Sequence, residues 1–194
     1  MGTDKQKIEM LTKETITIEP YNSLWPQLFQ DEKKHLLSLS PNKLIKRIEH
    51  FGSTAVPNLS AKPIIDMQVE VASLEKTRKL LVPILESQGY DYFWRPTLGD
   101  DVPPFYAWFI KRNANGARTH HIHMIEDTPS FIEHWNAILF RDYLIEHPKI
   151  ANEYEDTKLL LSKKFKNDRV AYTKNKTEFI QRVTKIAEVA YKKT

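Results

Sequence analysis

The chain has 194 residues, 41% of them apolar, with four Trp, eight Tyr, nine Phe and no cysteine. That composition predicts one folded domain with a sizeable core and excludes disulfides, thiolate metal sites and a cysteine nucleophile. The formal net charge of +4 is unevenly spread, because residues 158–194 hold eleven Lys and Arg against three Asp and Glu. Such an end can meet phosphates. It lacks the dense aromatic interleaving suited to stacking nucleic-acid bases, so nucleic acid is the less favoured partner. No segment nears the roughly 18 apolar residues of a membrane span, and the first residues show no apolar signal region, so a soluble cytoplasmic protein is expected.

Residues 1–14 are polar and read as a frayed terminus, with a single domain following over 15–194. Residues 15–18 read as a short strand from their β-branched content. Asn22 or Ser23 caps a helix carrying Leu24, Trp25, Leu28, Phe29 and Leu36, with Pro26 tolerated in its first turn. Alternation over 44–51 predicts a strand, as does the apolar run 64–71. Ser73 caps a helix that ends near Gly89. A short strand over 90–94 leads into a surface loop over 95–104. Strands 105–111 and 118–125 are joined by Asn113-Ala114-Asn115-Gly116, a hairpin signal. The rest reads as helices over 130–146, 148–164 and 177–192. The order predicts an α+β fold, a mixed β-sheet with packed helices and a helical C-terminal part.

The most informative stretch is His50-Phe51-Gly52-Ser53-Thr54-Ala55-Val56-Pro57 followed by Lys62-Pro63-Ile64-Ile65-Asp66. A glycine lets the backbone turn sharply and come close to a ligand. Ser53 and Thr54 add hydroxyls beside backbone N–H groups that could open a short helix and hold phosphate. On a strand, Asp66 and Gln68 share one face while Ile65, Met67 and Val69 share the other. A phosphate cradle followed by a carboxylate is the layout of a nucleotide-handling site.

These residues resemble the GrpB family. The likeness continues through Ile18-Glu19-Pro20-Tyr21, His121-Ile122-His123, Phe140-Arg141-Asp142-Tyr143-Leu144 and His147-Pro148 to Tyr172, Lys176 and Phe179-Ile180. It implies a nucleotidyltransferase-type (DNA polymerase beta-like) sheet. It also implies transfer of a nucleotidyl group from a nucleoside triphosphate to an acceptor. Gly52, Ser53, Thr54, Lys62 and Arg118 would bind the phosphates or nucleotide, and Asp66 and His50 would be catalytic. The second acid usual to such sites is Gln68 here. His121 and His123 stand about where a third acid would come. With Asp66 they suggest a metal site that prefers zinc or manganese to magnesium. The alternatives are a catalytically degenerate module binding a nucleotide or coenzyme A, and a metal-dependent hydrolase. The expected partner in each case is a nucleotide or another phosphate-bearing small molecule. Arg141 is expected to pair with Asp142, His120 and His134 to lie at the surface, and His147 to mark a helix junction.

Overall fold

The computed structural model describes residues 15–97 and 102–191; the terminus expected to fray and the centre of the 95–104 loop lie outside them. Helix α1 (Trp25–Leu39) precedes strands β1 (Ile45–Phe51) and β2 (Ile65–Val71). A helical segment follows as α2 (Leu74–Lys76), a π turn (Thr77–Leu81) and α3 (Val82–Ser87). Strands β3 (Asp91–Pro96), β4 (Phe105–Arg112) and β5 (Arg118–Ile125) come next, then helices α4 (Ile132–Glu146), α5 (Pro148–Lys164) and α6 (Arg169–Tyr191). The five strands lie in the order β1-β2-β5-β4-β3. Only the β2–β5 pair is parallel, so the sheet is mixed, as the sequence predicts.

Two expectations need correction. Residues 15–18 do not form a strand; the sheet-like contact nearby is a single bridge between Glu19 and Ala61. The Ile16 N–H instead donates to the Lys166 carbonyl at 2.9 Å, and the Ile16 side chain packs on Leu161 and Tyr172. The last helix begins at Arg169, eight residues before the predicted start. Asp168 decides that start, because its carboxylate accepts from the Ala171 N–H at 2.9 Å, the geometry of an N-cap.

Period-two alternation gives the sheet two unlike faces. On the core face, Ile65, Met67, Val69 and Val71 of β2 pack with Ile122 and Met124 of β5 beneath Trp25, Phe29 and Leu36 of α1. Each such aliphatic side chain stabilises the fold by roughly 1.5–3 kcal/mol when fully buried. On the other face the same strands present Asp66, Gln68, His121 and His123, with β2 and β5 in a register that sets Asp66 beside His121 and Gln68 beside His123. A second core lies among the C-terminal helices. Val56 and Leu59, from the loop after β1, insert between Phe140, Leu144, Ala151, Tyr154 and Val183. The helical layer therefore grips the loop that carries the Gly-Ser turn.

Helix α1 is fixed to the sheet by a buried carboxylate. Glu32 is 2% exposed; it accepts from the Tyr90 hydroxyl at 2.5 Å and pairs with the Lys111 ammonium. Breaking one side of a buried pair leaves an uncompensated charge, which is costly. Glu32→Ala is expected to lower the unfolding free energy by about 3 kcal/mol, read from urea denaturation; a loss below about 1 kcal/mol would show that the pair is screened as on a surface.

Candidate functional site

The site begins where β1 ends. Gly52 takes φ +73° and ψ −172°, which side chains rarely tolerate. A Cβ there would lie 2.5 Å from Asp66 Oδ2. The glycine is therefore required twice, by its backbone angle and by the approach of the Asp66 carboxylate. Ser53–Ala55 form a single 3-10 turn, too short to supply a helix terminus for phosphate. Ser53 hydrogen-bonds the Tyr154 hydroxyl from α5. Thr54 points inward, 1% exposed, and donates to the Ile64 carbonyl at 3.2 Å. That bond ties the turn to the start of β2 and commits the Thr54 hydroxyl to the fold.

His50 is likewise corrected. It precedes Phe51, the register partner of Asp66, and so points to the opposite face. There it stacks on Phe29 of α1 with centroids 4.8 Å apart. With the Thr54 hydroxyl donating to Ile64, the His50 Nε2–H donates to Thr54 Oγ1 at 3.0 Å. Burial holds the imidazole neutral down to about pH 4, against the attraction of Asp66 and with the help of Arg141 and His120. This placement withdraws His50 from a catalytic role beside Asp66.

Asp66 and His121 form a couple across β2 and β5. His121 Nδ1 lies 3.0 Å from Asp66 Oδ1. Burial opposes ionisation of Asp66, but the hydrogen bond from His121, helped by the Lys62 ammonium, outweighs it and holds the carboxyl below the usual carboxylate range. Burial also lowers the His121 pKa. The pair is thus a carboxylate accepting from a neutral imidazole, and His121 Nε2 has no hydrogen-bond partner among the described residues. His123 lies farther along the same face, among the rings of Phe51, Tyr106 and Trp108. Burial keeps it neutral to about pH 3. Gln68, fully buried beside it, has no hydrogen-bond partner for either amide atom among the described residues. Among the described residues no three His, Cys, Asp or Glu side chains are placed to hold a metal ion. Of the expected centre of Asp66, His121 and His123, Asp66 directs one oxygen to His121 while His123 sits in the aromatic cluster.

Lys62 and Arg118 line one cleft of about 620 Å³, whose described lining also includes Arg112, Arg169, Glu19, Asn115 and the Gly116 turn. Lys62 and Lys176 each place their ammonium 5.4 Å from the centre of the Tyr172 ring. Burial first, then the charges of Lys176, Arg169 and Arg118, push the Lys62 ammonium down to about 7 against the pull of Asp66. Reading the motifs missed Tyr154 and Arg169, and gave Tyr172 and Lys176 no role. Tyr172 and Lys176 were visible in the family likeness and Arg169 in the basic composition of residues 158–194, whereas Tyr154 left no signal. Arg141 does pair with Asp142, at 2.7 Å, and also donates to Glu49 at 3.1 Å and to the His50 carbonyl at 2.7 Å, clamping α4 to β1. His120 is buried, at 6% exposure, and His134 is half-buried, so neither is the surface residue expected. His147 caps the α4–α5 junction and stacks on Tyr143 as expected.

These features define an α+β protein whose mixed sheet carries an Asp–His couple next to a cation-lined cleft. The profile described as GrpB protein matches residues 15–186, and the chain belongs to the GrpB family. It is 34% identical over 184 residues to the glutamate-rich protein GrpB of Alkalihalophilus pseudofirmus, covering 94% of this chain and 97% of that one. The crystal structure of conserved protein GrpB from Enterococcus faecalis superposes with a TM-score of 0.78 at 32% identity, over 90% of this chain and 99% of that one. A more distant likeness, 25% identical over 182 residues, is to a Mycolicibacterium paratuberculosis protein named dephospho-CoA kinase, covering 84% of this chain and 43% of that protein.

Two outcomes follow from this geometry. Gly52→Ala should lose about 2–4 kcal/mol, combining backbone strain with displacement of the Asp66 carboxylate; the NMR signal of the His121 Nδ1 proton should also move. An unshifted signal would mean that Asp66 yields without disturbing the couple. Acid should destabilise the fold through His50 and His134, both held to about 4 chiefly by burial. Their folded values lie below the unfolded value near 6.5, so the unfolded chain binds more protons between about pH 6.5 and 4. Stability should therefore fall as pH drops through that window, by about 1–2 kcal/mol per histidine at pH 5. His134→Leu should flatten the slope of the thermal midpoint against pH; an unchanged slope would remove His134 from the effect.

Proposed function

We propose that this protein binds a phosphate-bearing small molecule of the nucleotide class in the cleft lined by Lys62, Arg112, Arg118 and Arg169. The observation that supports this is the gathering of four cationic side chains around one cleft, against Glu19 as the acid in its described lining. Arg112 is also paired with Asp91 at 2.9 Å, and an anion carrying several charges would accept further charge-assisted hydrogen bonds from the cations gathered here. Arginine is the better phosphate partner because its planar fork matches two oxygens at once.

Beyond Lys62 lie Asp66 and the Gly-Ser turn, which support the finer reading of nucleotidyl transfer implied by the family resemblance. Gln68 in place of a second carboxylate leaves a two-metal arrangement short of a ligand, so binding ranks ahead of transfer. Should a divalent ion accompany the phosphate, Asp66 is the carboxylate to hold it, and the nearby imidazoles favour zinc or manganese over magnesium. Coenzyme A belongs to the same ligand class, since it contains a phosphorylated adenine nucleotide. The relative named dephospho-CoA kinase is the specific reason to include it.

Calorimetry with ATP, CTP, GTP and coenzyme A, each with and without manganese, tests the proposal. At least one should bind, and Arg169→Ala should weaken it tenfold or more, as expected for loss of a charged hydrogen bond worth about 1.5–3 kcal/mol. Lys79→Ala serves as control, because Lys79 pairs with Glu75 on an exposed helix face. Absence of binding by all four ligands and by pyrophosphate would sink the proposal. Pyrophosphate release on incubation with a triphosphate would promote transfer over binding.

A further inference from the structure

Lys62 is unlike the arginines beside it. It leaves the loop just before β2, lines the cleft, and lays its ammonium against the Tyr172 ring. The charged groups facing it come from three directions: Asp66 on β2, Arg118 at the start of β5, and Arg169 and Lys176 on α6. One carboxylate faces three cations, and Asp66 is already engaged by His121. An arginine keeps its proton in such company, whereas a lysine releases one readily when buried among like charges.

We infer that Lys62 selects the charge state of the ligand, so that the cleft favours a phosphate monoester over a phosphodiester and takes up a proton as the monoester binds. The inference rests on the phosphate-binding reading above and deepens it. In the empty cleft, burial and the three neighbouring cations bring Lys62 to about 7. A dianionic phosphate reverses the local potential, and the amine nitrogen takes a proton from solvent to become an ammonium that pairs with a phosphate oxygen. A phosphodiester carries one negative charge and offsets less of the repulsion. The second ionisation of a phosphate monoester falls near 6, so above pH 7 the ligand's own charge is constant and a pH dependence reports on the protein. Lys158 is the other lysine that burial brings to about 7, but its ammonium is spent on the Ser60 carbonyl.

The test is calorimetry on the full chain with AMP as the monoester and cyclic AMP as the diester, in buffers of different ionisation enthalpy. Expected is at least tenfold tighter binding of AMP. Uptake should be about half a proton per AMP at pH 7, approaching one at pH 8.5, with affinity falling about tenfold between those values. Lys62→Arg should still bind AMP but lose the proton uptake and the pH dependence. Lys62→Gln should lose the preference for AMP over cyclic AMP. Binding of both ligands with equal affinity and no proton uptake would overturn the role of Lys62 and leave phosphate binding standing. Uptake that persists in Lys62→Arg would assign the proton to another group and likewise overturn it. Absence of binding by AMP, cyclic AMP and pyrophosphate would overturn this inference and the phosphate reading together.

Discussion

The contact between Gly52 and the Asp66 carboxylate sets the geometry on which the rest of the site depends. A Cβ at position 52 would lie 2.5 Å from Asp66 Oδ2, so the carboxylate could not keep this position. Phe51 sits opposite Asp66 in the sheet, and Ser53 turns toward Tyr154 of α5. The Thr54 hydroxyl locks the same turn to the first residues before β2. One missing methyl group thus lets the sheet and the C-terminal helices meet around a single carboxylate. Val56 and Leu59 then bury the following loop among those helices.

Electrostatics divides the polar side chains between two regions. On the sheet face, His121 is buried and Asp66 and His123 are half-buried; desolvation favours the neutral imidazoles, and Asp66 is stabilised by hydrogen bonding. At the rim, Lys62 and the arginines remain beside an open cleft. Several cations gathered beside one cleft are the physical reason to read it as a ligand site, with Arg112 held in place by its pair to Asp91. The buried Glu32 beneath α1 also joins charged and polar groups from distant elements, but its carboxylate is satisfied by Tyr90 and Lys111 and it serves the fold.

Much of the fold was legible in the chain. Period-two alternation placed Ile65, Met67 and Val69 on one face of β2 and Asp66 and Gln68 on the other, and the structure keeps that division. The Asn113–Gly116 hairpin and the Pro148 helix start are also where local chemistry puts them. The same alternation that separates Glu49 from His50 carries His50 away from Asp66, so a catalytic pairing of the two conflicted with a rule already visible in the sequence. The early start of α6 was missed because its cap, Asp168, lies in a polar basic stretch with little apolar periodicity to mark it.

The sequence by itself determined the elements, the two faces of the sheet, the Gly-Ser turn, and the Asp66 and His121 positions. Those depend on interactions within a few residues or on strand periodicity, which a linear pattern records. The tertiary structure alone decided that Asp66 meets His121 and that Thr54 turns inward. It alone set Lys62 among Arg118, Arg169 and Lys176. The separations involved, 55 residues between Asp66 and His121 and more than a hundred between Lys62 and Arg169, are bridged by the parallel β2–β5 pairing and by the packing of α6 against α4 and α5. Neither arrangement leaves a local pattern in the chain, because each is fixed by how separate hydrophobic surfaces pack.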